Sequence, residues 1–371
     1  MERAAEQSVV RWRSGTVVAH RRRWAGAVEL DASVDGDTVR ALAYPALVGL
    51  PQPGDRVLLN TTALARGLGT GGFAMVVALP DRLPDDPPPG PGHLVKARYT
   101  PLQAMVLGVD EQESEHHAAM ASADDLDGMP VVVADLHSAL PAVLAGVRAV
   151  DAGLRVAYVM TDGGALPAWF SRTVAGLRDA GWLAGCVTVG QAFGGDLEAV
   201  TLHTGLLAAR TVLGADFAVV AQGPGNLGSG TRWGFSGVAA GEAVNAVAVL
   251  GGRPVAALRV SGADPRERHR GVSHHSLTAY GRVALAACEV VVPDLDGELG
   301  ARVRRQAADL GAPVGRHRLV DVPVDGLREA LDGVRPATGV RLSTMGRGLD
   351  EDPAAFLASA AAGRHAAALP R

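Results

Sequence analysis

Ala215-Asp216-Phe217-Ala218-Val219-Val220-Ala221-Gln222 runs directly into Gly223-Pro224-Gly225-Asn226-Leu227-Gly228-Ser229-Gly230-Thr231. The first segment is short, apolar and Val-rich, as a strand buried on both faces must be. The second is a glycine-rich turn, and after residues 232–237 a helical pattern runs over 238–250. Strand, turn and helix in that order are the unit of a parallel sheet with helices on its faces. The same order forms the usual cradle for an anionic or phosphate-bearing ligand.

The rhythm continues on both sides. Upstream, 131–134, 155–160 and 185–189 read as strands, and 140–150, 167–180 and 197–213 as helices. Downstream, 255–260, 290–292 and 318–322 read as strands and 277–287, 298–310 and the segment after Pro353 as helices. This is an α/β pattern. It predicts a doubly wound, mostly parallel sheet, with a closed eightfold barrel not needed to explain it.

Residues 1–80 differ. Short segments at 15–19, 27–30, 38–44, 56–60 and 73–79 alternate in polarity and are punctuated by Asp35-Gly36-Asp37 and Pro53-Gly54-Asp55. That predicts a small antiparallel β-barrel-like domain. Residues 67–72 form a second glycine-rich turn with no helix behind it, read as a flexible loop. Six prolines between 80 and 91 stiffen a connector, so 81–92 is read as a linker and 93–371 as the α/β domain.

A net charge of −4 with no concentrated basic patch means that nucleic acid is not the expected partner. Arg21-Arg22-Arg23, near Arg11 and Arg13, is read as a solvated turn. Lys96 is the only lysine, so a Walker A loop is absent and a Schiff-base mechanism would have to use Lys96 alone. Cys186 and Cys288 lie in apolar stretches and read as buried thiols of a reducing compartment. Residues 1–10 lack an apolar signal core and no run is long enough to span a membrane, so a soluble, cytoplasmic protein without a membrane partner is expected.

Ligands of such sheets bind outside the carboxyl ends of the strands. Successive strands deliver Asp135-Leu136-His137, Thr161-Asp162-Gly163-Gly164, Gly190-Gln191, and Gln222 with its glycine loop to that edge. The next delivers Ser261-Gly262-Ala263-Asp264, followed by Arg266, Arg268, His269, Arg270, His274 and His275. Convergence of five such ends predicts a pocket. Asp135, His137, Asp162 and His274 are its candidate catalytic groups. Gln222, Gly223, Gly225, Asn226, Gly228, Gly230, Thr231, Asp264, Arg268 and His275 are its candidate ligand-binding groups.

The glycine loop formally satisfies G-x-G-x-x-G, but Pro224 stiffens it, the helix starts late, and Asp264 is too distant for a ribose-binding acid. An anion loop of another kind, or glycines serving only turns and close packing, remain as readings. Asp135-Leu136-His137 resembles the opening D-x-H of metallophosphoesterases, whose later blocks are absent. A metal held by Asp135, Asp162, His137 and His274 or His275 is the other metal reading. For Arg266 to His275, a surface loop held by salt bridges is the bland alternative. No serine stands in a nucleophile elbow.

Several stretches look familiar together: Ala43-Tyr44-Pro45-Ala46-Leu47-Val48-Gly49, Pro53 to Thr62, Gly90 to Lys96, Arg98 to Gln103, Gly271 to Thr278, and Ser343-Thr344-Met345-Gly346-Arg347-Gly348. Over nearly its full length the chain resembles an uncharacterised bacterial family, common in actinobacteria, catalogued as domain of unknown function 3866. The resemblance implies a soluble bacterial protein and leaves the chemistry to the residues. They point to an enzyme acting on a small anionic, phosphorylated or nucleotide-like ligand by acid–base or metal-assisted chemistry. The competing reading is a non-catalytic ligand-binding or regulatory protein with the β domain as interaction module. Neither a cofactor nor an oligomeric state follows from the residues.

Overall fold

A computed structural model describes residues 8–68 and 71–370 of the chain. Most of the 1–10 segment and positions 69–70 of the 67–72 turn therefore lie outside the described residues. The chain forms two compact units: the described residues through Gly90 with Arg98–Ala104, and Pro91–Ala97 with the described residues from Met105 onward.

The first unit is a closed barrel of five strands: β1 (Trp12–Trp24), β2 (Ala27–Val34), β3 (Asp37–Ala43), β4 (Arg56–Asn60) and β5 (Ala74–Ala78), in the order β1-β2-β3-β5-β4. All neighbours are antiparallel except β3 and β5. Alternation turns Leu30, Ala32 and Val34 of β2 inward onto Val17, Val57, Leu59 and Val76. Asp35 and Gly36 take positive φ at the β2–β3 turn, as a tight hairpin of right-twisted strands requires. Closure leaves no unpaired edge.

The arginine run is a correction to the sequence reading. Arg21, Arg22 and Arg23 lie within the 13-residue β1, not in a turn, with exposed side chains. Arg21 pairs with Asp31 and Arg13 with Asp35.

The second unit is α/β. Its strands are β6 (Pro130–Val133), β7 (Val156–Thr161), β8 (Gly185–Thr188), β9 (Leu197–Glu198), β10 (Phe217–Gln222), β11 (Arg253–Ala257), β12 (Glu289–Asp294) and β13 (Arg318–Pro323). They form one parallel sheet in the order β9-β8-β7-β10-β6-β11-β12-β13. Helices α1 (Leu140–Arg148), α2 (Arg172–Asp179), α3 (Leu202–Thr211), α4 (Ala239–Val249), α5 (His274–Thr278), α6 (Gly297–Ala308) and α7 (Pro353–Ala367) connect or follow them. Within β6, Val131 and Val133 face the core under α3, α4 and α6, whereas Val132 faces the core under α1, α2 and α7. Both faces are covered, which is why these strands read as continuous apolar runs rather than alternating ones.

Two helices differ from their sequence expectation. The 197–213 pattern splits into edge strand β9 and helix α3, because the Thr201 hydroxyl accepts the Thr204 amide and starts the helix there. The 277–287 pattern begins earlier, at the Ser273 cap, and continues from α5 into a π turn over Ala279–Val283. The 239–249 helix and the final helix lie where their patterns place them.

Helices α1 and α7 cross in near contact of their backbones. A Cβ on Gly146 would stand 1.9 Å from the Ala360 carbonyl oxygen, and one on Gly363 would stand 2.0 Å from that of Val143. Lys96 is buried, and its ammonium donates to the Ala192 and Ala199 carbonyls at 3.0 and 2.8 Å, with Glu198 at 3.7 Å. The ammonium serves as a clamp on main-chain oxygens. Cys186 and Cys288 are both free and buried. Among the described residues, no helix is long and apolar enough to cross a membrane.

Candidate functional site

Strand order decides where the site lies. From β6 the chain moves outward to β7, β8 and β9, returns to insert β10 beside β6, then continues to β11, β12 and β13 on the other side. The direction changes around β6, and such a switch point opens a crevice at the strands' carboxyl ends. Asp135, Gln222 and Arg259 are the residues that β6, β10 and β11 deliver there.

Asp135 is buried, at 4% exposure. Its main-chain oxygen accepts from Gln222 Nε2 at 2.8 Å, and the same amide reaches Asn226 Oδ1 at 3.0 Å. Asp135 Oδ2 has no hydrogen-bond partner; its neighbours are His275 Nδ1 at 3.7 Å and Arg259 Nη1 at 3.8 Å. Arg259 Nη1 donates to His275 Nδ1 at 3.1 Å. Phe235 stacks flat on His275, with centroids 3.8 Å apart and planes at 3°.

His269, His274 and His275 form one cluster, with one ring nitrogen of each within 4.8 Å of the others. Ser273 ties it together, bonding His269 Nδ1 at 2.8 Å and accepting the His275 amide. Burial, with help from Arg259 and Arg266, pushes His269 down to about 3. Burial, with His275 and Arg268, pushes His274 down to about 4, so both rings are neutral at pH 7. His274 also lines a cavity of about 680 Å³ together with Arg232, Arg268 and Arg282. A Cβ on Gly230 would lie 3.7 Å from Arg268 Nη2, so the glycine loop borders the same arginine.

The glycine loop does not form a helix-terminal cradle. The Ser229 amide donates to the Gly234 carbonyl at 2.7 Å and the Leu227 amide to Ser236 Oγ at 3.1 Å. Gly228 bridges Phe235, and Ser229 and Thr231 share hydroxyl contact, so the loop folds on itself before α4 begins. Gly223 serves close packing: a Cβ there would stand 2.3 Å from the Ala165 carbonyl oxygen. Gly225 takes a positive φ of 92° in an exposed bend.

Three residues selected from the sequence lie in other surroundings. His137 is held between Tyr158 Oη at 3.0 Å and Ser171 Oγ at 2.7 Å. Asp162 is exposed and accepts the Gln191 amide at 2.8 Å. Asp264 is buried in a network with Arg266, Arg347, Ser261 and, through Arg347, Asp352. Burial opposes its ionisation, but hydrogen bonds from Arg266 outweigh that and hold it well below the usual carboxylate range. The metal set Asp135, Asp162, His137 and His274 or His275 thus spans separate hydrogen-bonded groups.

His269, Arg259 and Phe235 join the cluster although the sequence reading did not select them as site residues. His269 carried a usable signal, the spacing H-x4-H-H; Arg259 reads as part of a strand, and Phe235 as a helix-entry residue.

His137 makes a pH prediction. Burial lowers it from 6.5 to about 4, so it folds neutral, and its contribution is complete above 6.5 and lost as pH falls toward 4. Between pH 7 and 4.5 this one ring is expected to remove about 2 kcal/mol of stability. Urea midpoints should fall across that window, and less steeply in His137→Gln. Equal slopes would remove His137 as the cause.

A family model described as protein of unknown function (DUF3866) matches residues 40–363. No curated protein matches the chain.

Proposed function

For a chain that belongs to the DUF3866 family, we propose an enzyme that acts on a small anionic ligand, phosphorylated or nucleotide-like, at the switch-point rim of its parallel sheet. One observation carries this reading. The buried Asp135–His275 pair meets the ring of His274, which in turn faces an arginine-lined cavity of about 680 Å³. That volume is in the range of small-ligand sites, ~300–1,000 Å³.

The electrostatics support acid–base work by His274. Arg268 and Arg259 are among the charges that hold it below its usual value. An anion seated on Arg268 and Arg232 offsets those charges and raises the basicity of His274 toward neutral pH, where proton transfer is most effective. Ligand binding would thus switch the base on. Asp135 orients His275, and Gln222 with Asn226 holds Asp135 in place. His137 and Asp162 take no part in this proposal.

The test is a ligand screen with inorganic phosphate, sugar phosphates and nucleoside monophosphates, read by thermal shift and by turnover. At least one should raise the wild-type midpoint by several degrees. Arg268→Ala should lose that shift, and Arg23→Ala on the barrel should keep it. In parallel, in the metal-free chain, the His274 ring resonance should titrate at higher pH with ligand bound. A shift that survives Arg268→Ala unchanged would count against this rim.

A further inference from the structure

We infer that His269, His274 and His275 together bind one transition-metal ion of the zinc class, a metal centre within the site proposed above; with the ion bound, His274 is a ligand, and metal-assisted chemistry takes the place of its acid–base role there. The segment supplies all three ligands locally. His269 ends a 3-10 turn, Glu267–His269, and His274 and His275 open α5 after the Ser273 cap. Neighbouring histidines on a helix ordinarily diverge. Here their ring centroids are 4.5 Å apart, and each is 5.0 Å from His269.

Two of the three rings offer a free nitrogen. Ser273 occupies His269 Nδ1, leaving Nε2. His274 Nε2 is buried without a hydrogen-bond partner. A buried imidazole nitrogen of that kind forgoes a bond it would otherwise make. Ligands at about 2.0–2.1 Å in a tetrahedron lie ~3.4 Å apart, a modest closure from a set already within reach. The existing limit is 4.8 Å.

Asp135 supplies the second observation. A metal on His275 Nε2 forces the remaining proton onto Nδ1, which then needs an acceptor. Arg259 Nη1 now donates to that nitrogen at 3.1 Å, so on metal binding the guanidinium must give way to Asp135 Oδ2, which lies 3.7 Å away, buried and without a hydrogen bond. Phe235, stacked on the ring, sets its plane. The carboxylate therefore acts as the support behind a ligand, and is not itself a ligand.

Three imidazole ligands select zinc, cobalt, nickel or copper over magnesium or calcium, which prefer oxygen. The set leaves a coordination position for water or an anionic ligand group, as three-ligand sites do.

The experiment uses the full chain stripped of metal and titrated with cobalt or zinc alone. We expect one equivalent bound, a visible cobalt band of four- or five-coordinate character, and no effect of magnesium. His274→Gln and His275→Gln should each weaken binding by at least about tenfold. His203→Gln, exposed on α3, should bind as wild type does. Wild-type affinity in both cluster variants would overturn the inference. If either variant does not fold by circular dichroism, the wild type decides, and absence of the cobalt band at ~1 mM overturns the inference. Phosphate stabilisation of the stripped chain, with no cobalt bound, would remove the metal and leave the anion site. Cobalt bound with no anion effect would do the reverse.

Discussion

Gly146→Ala is expected to cost about 3 kcal/mol or more, and Gly146→Val to prevent accumulation of folded protein. The obstruction at Gly146 is the Ala360 carbonyl, at 1.9 Å for its oxygen and 2.7 Å for its carbon. Both are backbone atoms inside α7, so no side-chain rotation relieves the clash. Gly363 repeats the arrangement from the other helix, 2.0 Å from the Val143 oxygen. The helices must separate, and α7 then loses its packing of Phe356, Ala360 and Ala361 against Val143 and Val147. Overpacking ordinarily costs ~1–3 kcal/mol where side chains can adjust, and here they cannot. Gly333→Ala is the control: its nearest atom is 3.4 Å away and its φ is −70°, so stability should change by less than about 1 kcal/mol. Urea unfolding of the two alanine variants makes the comparison, and equal midpoints would refute the close crossing.

Arg259→Met is expected to destabilise the fold by about 3–5 kcal/mol, because it leaves the buried Asp135 carboxylate without a nearby permanent cation. Asp135 is 4% exposed and the Arg259 side chain 10%. Asp135→Asn in the same chain should recover most of the loss, since a neutral amide can be buried at far lower cost. A double-mutant cycle reads the coupling directly. Additive losses would mean that Arg259 acts through packing alone. Both variants should also lose any anion-induced stabilisation, which separates the role of the pair in folding from its role at the rim.

The strand Phe217–Gln222 and its neighbours were legible because burial on both faces forces continuous Val and Ala, a pattern that survives without tertiary knowledge. The barrel was legible for the opposite reason: β2 has one buried face, and its alternation can be read residue by residue. The crossing of α1 and α7 was not. Gly146 and Gly363 look like weak points in helices until the partner backbone is seen. The glycine loop misled for a related reason: its spacing fits an anion cradle, but Ser229 and Gly234 pair with each other. In the site, Asp135, Gln222, Asn226, His274 and His275 could be placed at one sheet edge from topology. Which of them meet depends on strand order, and β10 inserting beside β6 cannot be read from the chain alone. Arg259 follows a strand and reads as part of it; its charge matters only because Asp135 lies on the neighbouring strand's end.

The single lysine offers a direct gauge of how the fold opens. A lysine-specific protease has one bond to cut, after Lys96, and that side chain is held by two carbonyls at 3% exposure. Cleavage then requires this segment to detach from Ala192 and Ala199. Where reclosing outpaces cutting, the digestion rate reports the free energy of that opening. One native-state digest would show whether the Lys96 clamp yields locally or only when the whole α/β unit unfolds.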